Sequence, residues 1–572
     1  MDGISTLGEL LARRAATQPT DRAYGFLNGD GTLETELTFA DLHRNAAAWA
    51  GRLREYAEPG DRALLMFPPG LEFVVAFFAC MFSGIIAVPM MPPRRRGGDS
   101  SRAIVADCAP RLILTNRDLV KGPRADVLER FCDTDIQIVT VNLADAPEEP
   151  PACSLAHNQT TAFLQYTSGS TSVPKGVVVT HRNLLSNLEM IRIAYDNTKA
   201  STYVSWVPLY HDMGLILNAL QSLYVGAGCI LLAPATFMHR PLIWLRAISD
   251  YRAEVAGAPN FAFDHCVDRF RLDQMQGVDL SCWKLAFNGA EPVRAATIRR
   301  FAEAFVPFGF DTQAAYPCYG MAEATLLISG GRRGGGPVIR TVSGVALQRH
   351  QVSAFAEPED AQEVVGCGRS LHGEDIAIVD PDSLRRMPAS NVGEIWVRGE
   401  NVAQAYWRKP DETRATFQAH IDGEPETAWL RTGDLGFLDE VGELFVTGRI
   451  KDIILVRGMN HYPQDIEHTV QSCHPALRRH FGAAFAVQRP NGQEQLVIVQ
   501  EIERVHRRAE NLVDIVRDIR EAIAEEHELT AADIVLIRTG TLPITTSGKI
   551  QRALTRRQWL QDVLDIVVRD RL

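Results

Sequence analysis

The chain has 572 residues, 46% of them apolar and 23% charged, with a formal net charge of −11. That length implies two to four domains with sizeable cores, and the composition is that of a soluble globular protein. The acidic balance argues against a nucleic-acid footprint, leaving small molecules and other proteins as partners.

In chain order, MDGISTLGELLARRAATQPT lacks the continuous apolar segment of a secretory signal and reads as an amphipathic helix. Ten cysteines between Cys80 and Cys473 include no CxxC pair, so neither a zinc site nor a disulfide framework is indicated; reduced thiols fit a cytoplasmic protein. A helix-length pattern at residues 39–56 leads into the strand-length run RALLMF at 62–67. Residues 73–91, FVVAFFACMFSGIIAVPMM, carry no charge and approach the length of a membrane span. Pro68, Pro69 and Gly70 stand before them, Ser83-Gly84 interrupts them and Pro89 lies near their end, so a helix, a tight turn and a buried strand are expected, with no integral span. The following PPRRRGG (92–98) reads as a basic surface loop and leaves peripheral membrane contact open.

RLILTN (111–116), IQIVTV (136–141), CILLAP (229–234) and WKLAFNG (283–289) alternate with helix-length segments such as 240–252. This is the pattern of parallel strands covered by helices, in which ligands collect at strand exits. Within it, LQYTSGSTSVPKGVVVTHRN (164–183) places six hydroxyls and two glycines around Lys175. Such a loop suits polyphosphate oxygens. It is not the usual nucleotide loop, because Lys175 precedes Gly176, and a polar surface turn is the alternative. WVPLYHDMGL (206–215) sets aromatics around His211 and Asp212, or is simply a strand end with a helix cap. FNGAEPV (287–293) and AAYPCYGMAEATL (314–326) each follow an apolar run with a small-residue turn and an acid, Glu291 or Glu323.

From about residue 352 the strands shorten: EDIAIVD, GEIWVRG and GELFVTG. Near Lys451 helices at 464–472 and 510–527 surround FAVQ and EQLVIVQ. The expected fold class is α/β, with a large body of mixed sheets packed by helices over 1–340, a strand-rich subdomain over 341–450 and a compact α+β domain over 451–572.

The motifs YTSGSTSVPKGV, YGMAEATL, RTGDLG, GRIKD and PITTSGK occur in that order, and the whole chain resembles the acyl-adenylate-forming superfamily of acyl-CoA synthetases, luciferases and peptide-synthetase adenylation domains. The resemblance implies that a carboxylate attacks the α-phosphate of ATP, pyrophosphate leaves, and a thiol takes the acyl group from the resulting anhydride. It assigns Thr167, Ser168, Gly169, Ser170 and Thr171 to a loop wrapping the phosphates, with Lys175 nearby. Glu323 is the implied magnesium-binding acid, Tyr319 the ring against adenine, Asp434 the acceptor of both ribose hydroxyls and Arg449 a ribose or phosphate contact. Asn288, Gly289, Ala290, Gly320 and Met321 belong to the same implied nucleotide site, with Thr171 and His211 counted beside Lys549 and Glu323 as catalytic. Lys549 would bridge the carboxylate and the α-phosphate. Lys451 matches a hinge about which a mobile terminal domain swings, bringing a thiol tunnel near Arg457 and Gly458 in its second pose.

YHDMGLI, the segment 233–266 and RGMNHYPQDIE resemble the fatty acyl-AMP ligase branch. An insertion distinguishing that branch is expected near 343–369. It implies a medium- or long-chain fatty acid as substrate, ATP and Mg2+ as cofactors, and a separate holo acyl carrier protein as acceptor. A fatty acyl-CoA synthetase sharing the same residues is the alternative. Cys318, beside the implied adenine site, reads as wall rather than nucleophile.

Overall fold

The computed structural model describes residues 3–92, 99–122, 128, 136–145, 157–167, 174–353, 357–456, 459–488, 494–507, 512–545 and 548–571. Two sheets carry the body. The larger has nine strands in the order Arg369–Ser370, Leu327–Gly330, Ala315–Gly320, Leu285–Gly289, Val255–Pro259, Tyr203–Ser205, Cys229–Leu232, Arg22–Leu27 and Leu33–Thr38. Its six central strands are parallel and its edges antiparallel. The second sheet orders Gln137–Thr140, Leu112–Thr115, Arg62–Leu65, Ile86–Pro89, Thr161–Thr167 and Lys175–Thr180, with only the last pair antiparallel. Parallel strands are covered on both faces, so CILL, LAFNG and LILT are uninterrupted runs that are buried throughout.

The charge-free stretch at 73–91 folds as helix Glu72–Ser83, a left-handed turn at Gly84 and strand Ile86–Pro89. Gly84 has φ +76°, and a Cβ there would press on Pro59 at 3.2 Å. Residues Phe73 to Ser83 are all buried, so the segment is apolar because protein surrounds it. Among the described residues no helix is long and apolar enough to cross a membrane. Residues 93–98 of the basic stretch lie outside the described residues.

An aromatic core sits beneath the strand exits of the larger sheet. Trp206 stacks on Phe237 at 3.9 Å between ring centroids, while Trp244 meets Trp283 edge-on at 5.3 Å and Phe263 at 5.8 Å. Trp244 is fully buried. Trp244→Ala is expected to lower unfolding free energy by about 3–5 kcal/mol, read as a fall in the urea midpoint at unchanged denaturant slope.

Residues 206–215 carry a helix cap, though not onto an ordinary helix. Asp212 caps, accepting the Met213 N–H at 2.7 Å, but the helix that follows, Met213–Leu220, is a π-helix. Gly214 lies so close to the preceding turn that a Cβ would fall 2.2 Å from the Pro208 carbonyl oxygen, and the Asn218 side-chain amide donates back to the Met213 carbonyl at 2.9 Å.

Beyond the body, Glu374–Val379, Gly393–Gly399, Leu430–Leu438 and Leu444–Arg449 form an antiparallel meander. Within the stretch around 343–369, strand Ala361–Val365 pairs with Ile339–Ser343 and helix Gly344–Gln348 follows the latter. The chain leaves the meander through one 3-10 turn, Ile450–Asp452. After it, a four-stranded sheet packs with helices Pro463–Cys473 and Leu512–His527 around a separate cluster that includes Ile466, Ile498, Ile519 and Ile534.

Candidate active site

The parallel strands end in a cleft of about 3540 Å³ bounded by the body, the meander and the C-terminal sheet. Four exits of the nine-stranded sheet feed it. Tyr203–Ser205 runs on to His211 and Asp212, Val255–Pro259 to Asn260 and Phe261, Leu285–Gly289 to Ala290 and Glu291, and Ala315–Gly320 to Glu323. The strand Thr161–Thr167 brings Thr167 to the same cleft. Ser168, Gly169, Ser170 and Thr171 lie outside the described residues, as do Arg457 and Gly458.

Close backbone approach explains the small residues here. A Cβ on Gly320 would sit 1.9 Å from the Leu326 carbonyl oxygen, and one on Gly289 2.8 Å from that of Cys318. Ala290 and Thr325 hold left-handed backbone at φ +67° and +66°, conformations that cost energy for residues with a Cβ and gather at functional sites. Met321 donates its N–H to the Leu326 carbonyl at 2.8 Å, closing the turn around Glu323. The Asn288 amide donates to Asn260 Oδ1 at 3.2 Å. Cys318 is buried with its S–H directed at the Asn288 carbonyl, and burial pushes its thiol far up.

On the meander, Asp434 is buried and accepts two hydrogen bonds, from the Tyr319 hydroxyl at 2.8 Å and from Arg449 Nε at 2.7 Å. Two residues from other motifs thus share one carboxylate. Lys451 is exposed at the mouth of the cleft, in the turn that leaves the meander.

Lys175 and Glu323 approach each other through a residue the sequence reading did not single out. The Tyr406 hydroxyl donates to Glu323 Oε1 at 2.7 Å, and Lys175 Nζ lies 4.7 Å from the centre of the Tyr406 ring. Burial raises the Glu323 pKa against the opposing Tyr406 hydrogen bond. Among the described residues no group of three or more His, Cys, Asp or Glu side chains could hold a metal ion. A lone carboxylate at the cleft nevertheless fits Mg2+, which takes one or two protein carboxylates and completes its shell with phosphate oxygens and water.

Lys549 reaches the cleft on a hairpin of the C-terminal domain. Thr545 N–H donates to the Lys549 carbonyl at 2.7 Å, Lys549 N–H to Thr545 Oγ1 at 2.9 Å, and Gly548 turns the chain at φ +89°, 3.6 Å from the Phe261 ring were it to carry a Cβ. Burial, aided by Arg449, pulls the Lys549 pKa below the usual lysine range, while Asp212, Asp434 and Glu291 push it back up. Burial raises the Glu291 carboxyl, which accepts the Phe261 N–H at 2.6 Å. Burial would raise Asp212 too, yet His211, 3.7 Å away through Nδ1, and Lys549 hold it below its ordinary value. The structure therefore brings Lys549, His211, Asp434, Arg449, Tyr319, Glu323 and Lys175 to one cleft.

Known proteins resemble this chain in sequence and fold. Residues 11–407 match the family of AMP-binding enzymes, and residues 451–568 match the AMP domain of Disco-interacting protein 2-like proteins. A medium-chain-fatty-acid–acyl-carrier-protein ligase of Moorena producens is 41% identical over 98% of this chain and 96% of its own. A fatty acyl-adenylate ligase from Legionella pneumophila, solved in complex with acyl adenylate and pyrophosphate, is 38% identical, with a TM-score of 0.75 over 100% of this chain and 98% of that one. A structure from work on fatty acyl-adenylate ligases of E. coli and L. pneumophila reaches a TM-score of 0.88 at 31% identity over 98% of both chains. By its motifs, its cleft and these matches, the chain belongs to the AMP-binding enzymes, as an ATP-dependent adenylate-forming enzyme of the acyl-adenylate superfamily.

Proposed function

We propose that the protein activates a medium- or long-chain fatty acid to acyl-AMP, releasing pyrophosphate, and passes the acyl group to the phosphopantetheine thiol of a separate acyl carrier protein. The observation that carries this reading is Lys549 held in the cleft among Asp212, Glu291, Asp434 and Arg449. A carboxylate and an α-phosphate repel each other, and a fixed ammonium between them offsets that repulsion as charge builds on phosphorus. Asp434 has two oxygens spaced for a vicinal diol and takes the ribose, with Tyr319 and Arg449 fixing its orientation. Asn288 to Ala290 and Tyr319 to Met321 supply the walls for the adenine. Thr167 to Thr171 and Lys175 receive the β- and γ-phosphates. Glu323 would hold Mg2+, which supplies charge neutralisation on the phosphates when bound.

The acid's chain has an apolar path along Trp206, Val207, Met213, Leu217, Met238 and Phe261. Each methylene buried there contributes about 0.8 kcal/mol. The names of the relatives, ligases of medium-chain fatty acids and of fatty acyl adenylates, agree with that path. Thiol chemistry and ATP both suit the cytoplasm, and the eight described cysteines are free thiols.

Acceptor choice follows from how the C-terminal domain is held. Gln362 donates to Asp465 at 2.9 Å, Asn460 to the Gln348 carbonyl at 2.9 Å, and Arg294 to the Gln464 carbonyl at 2.8 Å. Two of these bonds come from the stretch at 343–369, and all oppose rotation about Lys451 away from the adenylating pose. A thiol delivered by a folded carrier brings binding surface of its own to offset their loss, which free CoA lacks. Purified protein given ATP, labelled fatty acid and either holo-carrier or CoA is expected to load the carrier while acyl-CoA stays at background. Rapid acyl-CoA formation overturns the carrier assignment and leaves a fatty acyl-CoA synthetase.

A further inference from the structure

Tyr406 holds two oppositely charged groups of the cleft at once. Its hydroxyl donates to Glu323 Oε1 at 2.7 Å and its ring face carries the Lys175 ammonium at 4.7 Å. We propose that Tyr406 is a positioning residue that sets the metal-binding carboxylate of Glu323 and the phosphate-binding ammonium of Lys175 in register before ATP arrives. This inference rests on the roles given to Glu323 and Lys175 above.

The tyrosine is itself fixed from several sides. Residues 405–407 lie alongside strand Lys175–Thr180, with Val178 N–H donating to the Ala405 carbonyl at 2.9 Å and Trp407 N–H to the Gly176 carbonyl at 2.7 Å. Tyr406 N–H donates to Thr413 Oγ1 at 3.1 Å, and Phe417 packs edge-on against the ring at 5.0 Å. Ala403 N–H donates to the Glu323 carbonyl at 2.9 Å, so one short segment stitches the phosphate strand to the turn that bears the acid. Tyr406 is 7% exposed and Glu323 8%.

Each contact has a physical task. A buried carboxylate with no donor would turn to find one; a phenol bound to one oxygen leaves the other to face a metal. An ammonium on a four-carbon stem samples many rotamers, and an aromatic face narrows them while remaining weaker than a phosphate, so Lys175 can leave it when ATP binds. A tyrosine that only filled space would direct its hydroxyl at any nearby acceptor. This one selects the acid of the cleft and carries the cleft's lysine on its ring.

The two contacts separate in two variants of the full chain. Tyr406→Phe keeps the ring and removes the hydroxyl; Tyr406→Leu removes both. In Tyr406→Phe, binding of Mn2+ in the presence of ATP and without acid, followed by electron paramagnetic resonance, is expected to weaken roughly tenfold, the loss of a hydrogen bond to a charged group. Its KM for ATP at saturating metal is expected to stay within about twofold of wild type. Tyr406→Leu is expected to show the same metal defect plus a KM for ATP raised roughly threefold or more, from the lost ring face. Thermal midpoints establish that each variant folds, and Tyr406→Phe alone decides the metal arm if Tyr406→Leu does not. Unchanged Mn2+ affinity in folded Tyr406→Phe overturns the inference, as does a fall in kcat with no metal effect. If wild-type protein itself shows neither ATP-dependent Mn2+ binding nor fatty-acid-dependent pyrophosphate exchange, the proposed function fails instead.

Discussion

Lys549→Ala is expected to cut fatty-acid-dependent ATP–pyrophosphate exchange by about 10²–10³-fold, the scale on which a single preorganised donor to a developing charge acts. The loss should be confined to the first half-reaction. Transfer of the acyl group from supplied acyl-AMP to holo-carrier should stay within a few-fold of wild type, because a different face of the C-terminal domain would serve that step. The hairpin itself survives the substitution, since it closes through the backbone of Lys549 and the Thr545 side chain rather than through the lysine ammonium. Burial and Arg449 disfavour the ammonium while Asp212, Asp434 and Glu291 favour it, so matching urea midpoints should accompany the kinetics. Lys549→Arg should restore little: a planar guanidinium is bulkier than an ammonium and cannot take the same point between two anions. A measurement in which both half-reactions fall equally would move Lys549 out of the adenylation step.

Residue types that announce their own chemistry were legible in the sequence. Gly289 and Gly320 each end a strand, Lys549 follows a polar Thr-Thr-Ser-Gly run, and the break at Ser83-Gly84 separates a buried helix from a strand. Each of these features is local. Relations between distant segments were not legible. Tyr406 lies 83 residues from Glu323, in a segment whose only local signal is aromatic, and its role depends on pairing with strand Lys175–Thr180. The sharing of Asp434 between Tyr319 and Arg449 spans 115 and 15 residues, so no window of sequence contains it. The π-helix at Met213–Leu220 escaped because every residue of the segment is buried, so it has no polar face from which one helix period could be told from another. The bonds from 343–369 to the C-terminal domain are likewise tertiary.

Asp434→Ala is expected to lower kcat/KM for ATP by about 10²-fold or more, since each hydrogen bond to a charged group is worth roughly 1.5–3 kcal/mol and the carboxylate would make one to each ribose hydroxyl. The substitution also strips Arg449 of the anion that chiefly raises its pKa, and leaves the buried Tyr319 hydroxyl without its acceptor. Arg449 is 45% exposed in its side chain, so water can solvate it, and the stability cost should sit near the lower end of the 1–3 kcal/mol typical of an orphaned partner. Lost catalysis can therefore be told from lost fold by matching urea midpoints. The sharper test uses the nucleotide. Wild-type protein should discriminate ATP from 2′-deoxy-ATP and 3′-deoxy-ATP by roughly tenfold each, the worth of one charged hydrogen bond, whereas Asp434→Ala should treat all three alike. Because a double-mutant cycle between protein and ligand isolates their mutual term, equal discrimination in the folded variant would show that the diol is held by another group.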